Sequence, residues 1–118
     1  MIAAIGAVSA AIAIGFSAFG AHGAPNAQAA EWLRTGGLYQ LIHAVAVVAL
    51  VLVPSNGQGT MNAPAALLLG GSALFAVTLY AMAFGAPRWL GAITPIGGVL
   101  MILGWLWLAW RLADNRLG

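Results

Sequence analysis

Charge is missing from this chain over distances that a water-soluble fold does not tolerate. No Asp, Glu, Lys or Arg occurs from Met1 to Ala30, from Thr35 to Pro87, or from Trp89 to Trp110. A helix needs about 20 apolar residues to cross a hydrocarbon layer about 30 Å thick. The outer two runs therefore suit one crossing each, and the middle run suits two crossings with a turn. Of the 118 residues, 63% are hydrophobic and 5% are charged, whereas soluble domains carry about 25% charged residues. Four Arg, one Asp and one Glu, with no Lys, are too few to coat a soluble surface of this size.

The chain is expected to form a single all-α domain over residues 1–118, an integral membrane bundle of four transmembrane helices. The middle run breaks at PSNGQGTMNAP, residues 54–64, where two Pro, two Gly and two Asn mark a loop. The helices are expected at about 2–21, 37–53, 64–84 and 93–113. Pro64 suits a first helical turn, where its missing N–H is not needed. Pro95 suits the same role in the last helix, with Thr94 as its N-cap. Between the first two spans, residues 26–35 combine good helix formers with Asn26 as an N-cap. Ala30, Trp32 and Leu33 offer an apolar side, and Gln28, Glu31 and Arg34 a polar one. That pattern predicts a separate short helix in the interface plane. The first segment lacks a basic lead-in, and its apolar run exceeds that of a cleaved signal peptide, so it is expected to remain as a span.

The first helix is crowded with small residues, among them Ala4, Gly6, Ser9, Ala11, Ala13, Gly15 and Gly20. Small side chains let helix backbones approach closely in lipid, which predicts a central position for this helix. Smaller patches of the same kind occur at Gly70, Gly71 and Ser72, and at Gly97, Gly98 and Gly104. Trp105, Trp107 and Trp110 lead to Arg111 and read as an aromatic belt with a snorkelling cation. Trp32, Trp89 and Arg88 read as anchors at the other interface. Two Arg at each face leave the orientation balanced, with a slight lean to cytoplasmic termini.

Polar residues inside the spans are the candidates for function. Tyr39 and His43 are four apart and share a helix face; Gln40 lies on the next stripe. His22 closes the first helix, toward the same membrane face as His43. Ser72, Thr78 and Tyr80 are the polar groups of the third helix. A polar side chain facing lipid is costly, so His43 is expected to face the protein interior. Three roles are open to it. The first is a hydrogen bond that ties helices together. The second is a proton-relay or ligand-binding imidazole. The third is ligation of a haem or metal with His22, for which no carboxylate or thiolate partner is at hand. No metal and no cofactor are expected.

Three motifs together, FGAHG (Phe19 to Gly23), W…YQLIHA (Trp32, Tyr39 to Ala44) and ITPIGG…GW (Ile93 to Gly98, Gly104, Trp105), resemble the domain-of-unknown-function 423 family. The resemblance spans nearly the whole chain in motif order. It implies a small four-helix protein of the bacterial inner membrane, with small eukaryotic transmembrane relatives and no established activity. The motif positions that carry over are Gly20, His22, Gly23, Tyr39, His43, Thr94, Pro95, Gly97 and Gly98, with no catalytic role attached to any. The glycines among them, with Thr94 and Pro95, are expected to serve packing.

The scattered Arg residues make no basic patch, so nucleic acid is not an expected partner. Cysteine is absent, which removes disulfides and thiolate sites. No Ser/His/Asp set, carboxylate pair or phosphate loop is present, so an enzyme is not expected. A structural or accessory role is favoured, with the lipid bilayer as solvent and either a homo-oligomer or a larger membrane complex as context. A small transporter or channel using His43 is the alternative. The first span lacks the intramembrane carboxylate on which small multidrug-resistance transporters depend.

Overall fold

The computed structural model describes residues 1–52 and 61–117, with side chains through residue 114. Most of the loop expected at 54–64 lies outside the described residues. Four helices account for nearly all the rest: α1 (Ile2–His22), α2 (Ala27–Leu52), α3 (Asn62–Ala83) and α4 (Thr94–Leu117), with a 3₁₀ turn at Arg88–Ala92 before α4. Each of the four regions is long and apolar enough to cross a membrane. At 1.5 Å per residue, the 21 residues of α1 reach about 32 Å, close to the ~30 Å of hydrocarbon they must cross.

The helices form a row of antiparallel hairpins. α1 packs on α2, α2 on α3 and α3 on α4, with a lesser contact between α1 and α3. Such an order follows from short connections, which make chain neighbours into spatial neighbours. The result is a slab of 52 × 25 × 19 Å. Two apolar clusters hold it: Ala29, Leu33, Ala76, Tyr80 and Ala83 toward one end, and Val47, Ala65 and Leu68 toward the other.

The expected interfacial helix is not a separate element. Residues 27–52 are one helix of 26 residues. Asn26 does cap it, accepting the Ala29 N–H at 2.8 Å on Oδ1, but the apolar side of that stretch turns inward. Ala29 and Leu33 are buried in the protein rather than laid on lipid. Gly36 and Gly37, which look like a break, are points of close approach. A Cβ on Gly36 would lie 2.8 Å from the Tyr80 ring, and one on Gly37 would collide with Ser17.

Nor is α1 central. Only 17% of its span is buried, against 50% for α3. Its small residues do allow intimate contact with α2: a Cβ on Gly20 would sit 3.0 Å from that of Leu33, and one on Gly6 would sit 3.1 Å from Val47. Chain order nevertheless leaves α1 at one end of the row, so its opposite side faces out.

Gly85, at φ 104°, turns the chain out of α3 in a conformation that side-chain-bearing residues rarely adopt. Pro64 lies in the first turn of α3, and Pro95 is the second residue of α4. The α3–α4 crossing is tightest at Gly71 and Gly97. A Cβ on Gly97 would stand 2.6 Å from the Phe75 nitrogen and 2.7 Å from the Gly71 oxygen. Gly98, grouped with Gly97 by motif, faces open space and serves no such packing.

These two glycines should therefore separate on substitution. Gly97→Leu is expected to destabilise the fold by about 1–3 kcal/mol through overpacking. Gly98→Ala should be neutral or slightly stabilising, because Ala is the better helix former. Reversible unfolding in mixed micelles measures both.

Candidate functional site

The polar side chains of the interior form a set of ties between helices, spread along the spans rather than gathered at one level. The set centres on α2, because Gln40 and His43, three residues apart, both fall on the buried side of that helix. The Gln40 amide nitrogen donates to Ser9 Oγ on α1 at 3.0 Å. Its oxygen accepts from the Tyr80 hydroxyl on α3 at 2.6 Å. One amide thus joins three helices. Tyr80 is held for this by its ring, which stacks on Phe16 at 4.1 Å between centroids and lies against the bare face of Gly36.

His43 makes the link to the last helix. The Trp105 indole N–H can only donate, and it meets His43 Nε2 at 2.9 Å. Nε2 is therefore the unprotonated acceptor. Nδ1 carries the hydrogen and donates it to the Tyr39 carbonyl oxygen at 2.6 Å. The ring is a neutral tautomer with both nitrogens occupied. The bond spans α2 and α4, which do not pack directly on each other. A third tie joins α3 to α4, where the Thr78 and Thr94 hydroxyls meet at 2.6 Å. Thr94 also donates to the Leu90 carbonyl oxygen at 3.3 Å. Among the described residues, no buried side-chain nitrogen or oxygen lacks a partner.

The other residues singled out from sequence scatter. His22 is exposed at the end of α1, while His43 is level with the turn of α1 between Gly6 and Ser9. At 1.5 Å per residue the two histidines lie about 20 Å apart along the helix axis, so they do not share one end of the protein or one ligand. Among the described residues no three His, Cys, Asp or Glu side chains come together. Tyr39 is 42% exposed, with its ring against Phe75 at 4.8 Å. Ser72 is fully buried but bonds only within its own helix, to the Leu69 carbonyl oxygen. Gly20 is a true packing glycine, and Gly23 closes α1 by donating its N–H to the Phe19 oxygen at 2.7 Å. Trp89, Trp107 and Trp110 are exposed. Trp32 is half-buried beneath the Arg88 guanidinium, 5.7 Å from its ring centroid.

Two members of this set are not legible as such in the sequence. Ser9 reads as one small residue among many, and Trp105 reads as part of the belt with Trp107. The available signal is spacing: Met101, Trp105 and Leu108 recur at helical intervals, and Met101 and Leu108 are buried.

Gln40→Leu should cost about 1–3 kcal/mol, since it strands the Tyr80 hydroxyl and Ser9. A double-mutant cycle of Gln40→Leu with Tyr80→Phe should return a smaller coupling of about 0.6 kcal/mol, typical of interhelical bonds in lipid. Nitrogen-15 NMR of the histidines should show His43 as the Nδ1–H tautomer, and Trp105→Phe should admit the Nε2–H form.

Comparison with known proteins agrees with this architecture. The sequence matches the family described as "Protein of unknown function (DUF423)" over residues 16–98, a stretch that includes Gln40, His43, Tyr80 and Thr94. A UPF0382 membrane protein of Staphylococcus saprophyticus is 39% identical over 107 residues, covering 88% of this chain and 89% of the relative. One from Haemophilus influenzae is 37% identical over 107 residues, covering 88% and 86%. The Bacillus subtilis UPF0382 membrane protein YwdK is 36% identical over 107 residues, covering 86% and 87%. No solved structure matches. The motif order, the four spans and these relatives agree: the chain belongs to the DUF423 family of UPF0382 membrane proteins.

Proposed function

We propose that this protein is a structural or accessory component of the bacterial inner membrane, not an enzyme, and that it assembles with copies of itself or within a larger membrane complex. The observation that carries this reading is the outer side of α1. Gly6, Ser9, Ala13 and Gly20 are buried against α2, but Ala4, Ala7, Ala11, Gly15 and Ala18 recur at three- and four-residue spacing on the opposite side and are exposed. No atom would lie within 4 Å of a Cβ on Gly15. Small stripes of this spacing are how helices in lipid come close enough to gain dispersion energy, since burial from water is no longer available as a driving force. A stripe of bulky residues would solvate α1 in lipid equally well, so its small size favours a helix as neighbour.

The polar ties between helices support the same reading from the other direction. Gln40, Thr78, Thr94 and Tyr80 are engaged in bonds between helices. Both imidazole nitrogens of His43 are held by a carbonyl oxygen and an indole N–H, neither of which passes a proton on. This ranks transport below an accessory role.

The chain has no cysteine, so single introduced thiols report contacts cleanly. In native membranes, oxidation of Ala11→Cys should give a crosslinked species. Ile102→Cys, on the exposed side of α4, should not. The proposal fails if neither variant crosslinks and the protein extracted in mild detergent is monomeric with no co-extracted protein.

A further inference from the structure

Phe84 lines two cavities, and their chemistries differ in the way that the two ends of a lipid differ. The first is a groove of about 480 Å³ between α1 and α3. Ile5, Ile12 and Phe16 form one wall, and Leu69, Val77 and Phe84 the other. It lies within the spans, on a side of α1 distinct from the small-residue stripe. The second, of about 520 Å³, sits where the α1–α2 connector meets the end of α3. Asn26, Gln28, Trp32 and Arg88 line it together with Phe84.

The groove accepts hydrocarbon by position, and its dimensions select the kind. From Phe84 to Leu69 its α3 wall runs about 22 Å at 1.5 Å per residue. It is an open trough walled on both sides by apolar side chains. A single extended acyl chain matches that shape. A neighbouring helix could offer it only side-chain tips.

The second cavity supplies what the other end of such a molecule requires. Arg88 is exposed, with its guanidinium over the Trp32 ring, and no carboxylate pairs with it among the described residues. Asn26 uses Oδ1 in capping α2, which leaves its amide N–H groups to donate. No acidic side chain lines the cavity. A cation with amide donors beside an interfacial tryptophan suits a phosphate at headgroup depth. We propose that an anionic glycerophospholipid is held here, its phosphate at Arg88 and Asn26 and one acyl chain passing Phe84 into the groove between α1 and α3. The proposal is independent of the accessory role, because a different side of α1 carries each.

The test is lipid retention. The intact protein is reconstituted in vesicles of phosphatidylcholine and phosphatidylglycerol in equal parts, extracted gently, and read by native mass spectrometry. The parent should keep bound lipid with about a fivefold preference for phosphatidylglycerol, the discrimination expected of one interfacial cation. Arg88→Gln should lose the preference, and Arg34→Gln, whose residue lines neither cavity, should keep it. Val77→Trp, at an exposed position on the groove wall, should shed lipid of both kinds, as should Ala73→Phe. The proposal is overturned if the parent keeps no lipid, or if Arg88→Gln retains the full preference. A dimer that both groove-filling variants abolish would also overturn it, by showing that a second copy occupies the groove.

Discussion

Hydrocarbon offers a polar side chain nothing to bond, so every hydroxyl, amide and imidazole placed inside the membrane must find its partner in the protein. Gln40 shows how far this constraint reaches. An amide has both a donor and an acceptor end, and satisfying both in lipid draws in Ser9 from α1 and Tyr80 from α3. His43 has the same two-sidedness and takes a carbonyl oxygen on α2 and the Trp105 N–H on α4. Each such bond contributes little energy, but together they set register. A helix sliding or rotating by one residue would leave several groups unpaired at once.

Those bonds also explain the demands made on the glycines. Gln40 reaches both neighbours only if α1 and α3 approach α2 closely. Gly37 lets α1 in beside Ser17, and Gly36 makes room for the Tyr80 ring. Gly71 and Gly97 bring α4 near enough to α3 for Thr78 to meet Thr94. The small residues set the spacing, and the polar ones choose among the packings that spacing allows.

α1 illustrates how one helix divides its surface. One side packs on α2, a second borders the groove beside α3, and a third presents Ala4, Ala11 and Ala18 outward. An end position in the row makes this possible, because only the side on α2 is closely packed along its length. Phe84, at the end of α3, meets Phe16 and Phe19 of α1. It stands where the apolar groove gives way to the polar cavity around Arg88.

Four spans could be read from the sequence, with the ends of α1, α3 and α4 to within a few residues, because uncharged runs of about 20 residues have few other uses. So could the inward turn of His43, since lipid would penalise it outside, and the capping role of Asn26. Residues 26–37 are ambiguous in sequence, because an amphipathic stretch ending in two glycines has the same pattern whether its apolar side meets lipid or protein. The same ambiguity placed α1 in the middle: small residues signal that a helix can be approached closely, not how many neighbours approach it. Trp105 was indistinguishable from Trp107 until α2 stood opposite it. Periodicity along one helix specifies which residues share a side. Only the arrangement of the other helices decides whether that side faces a partner, a groove or the bilayer.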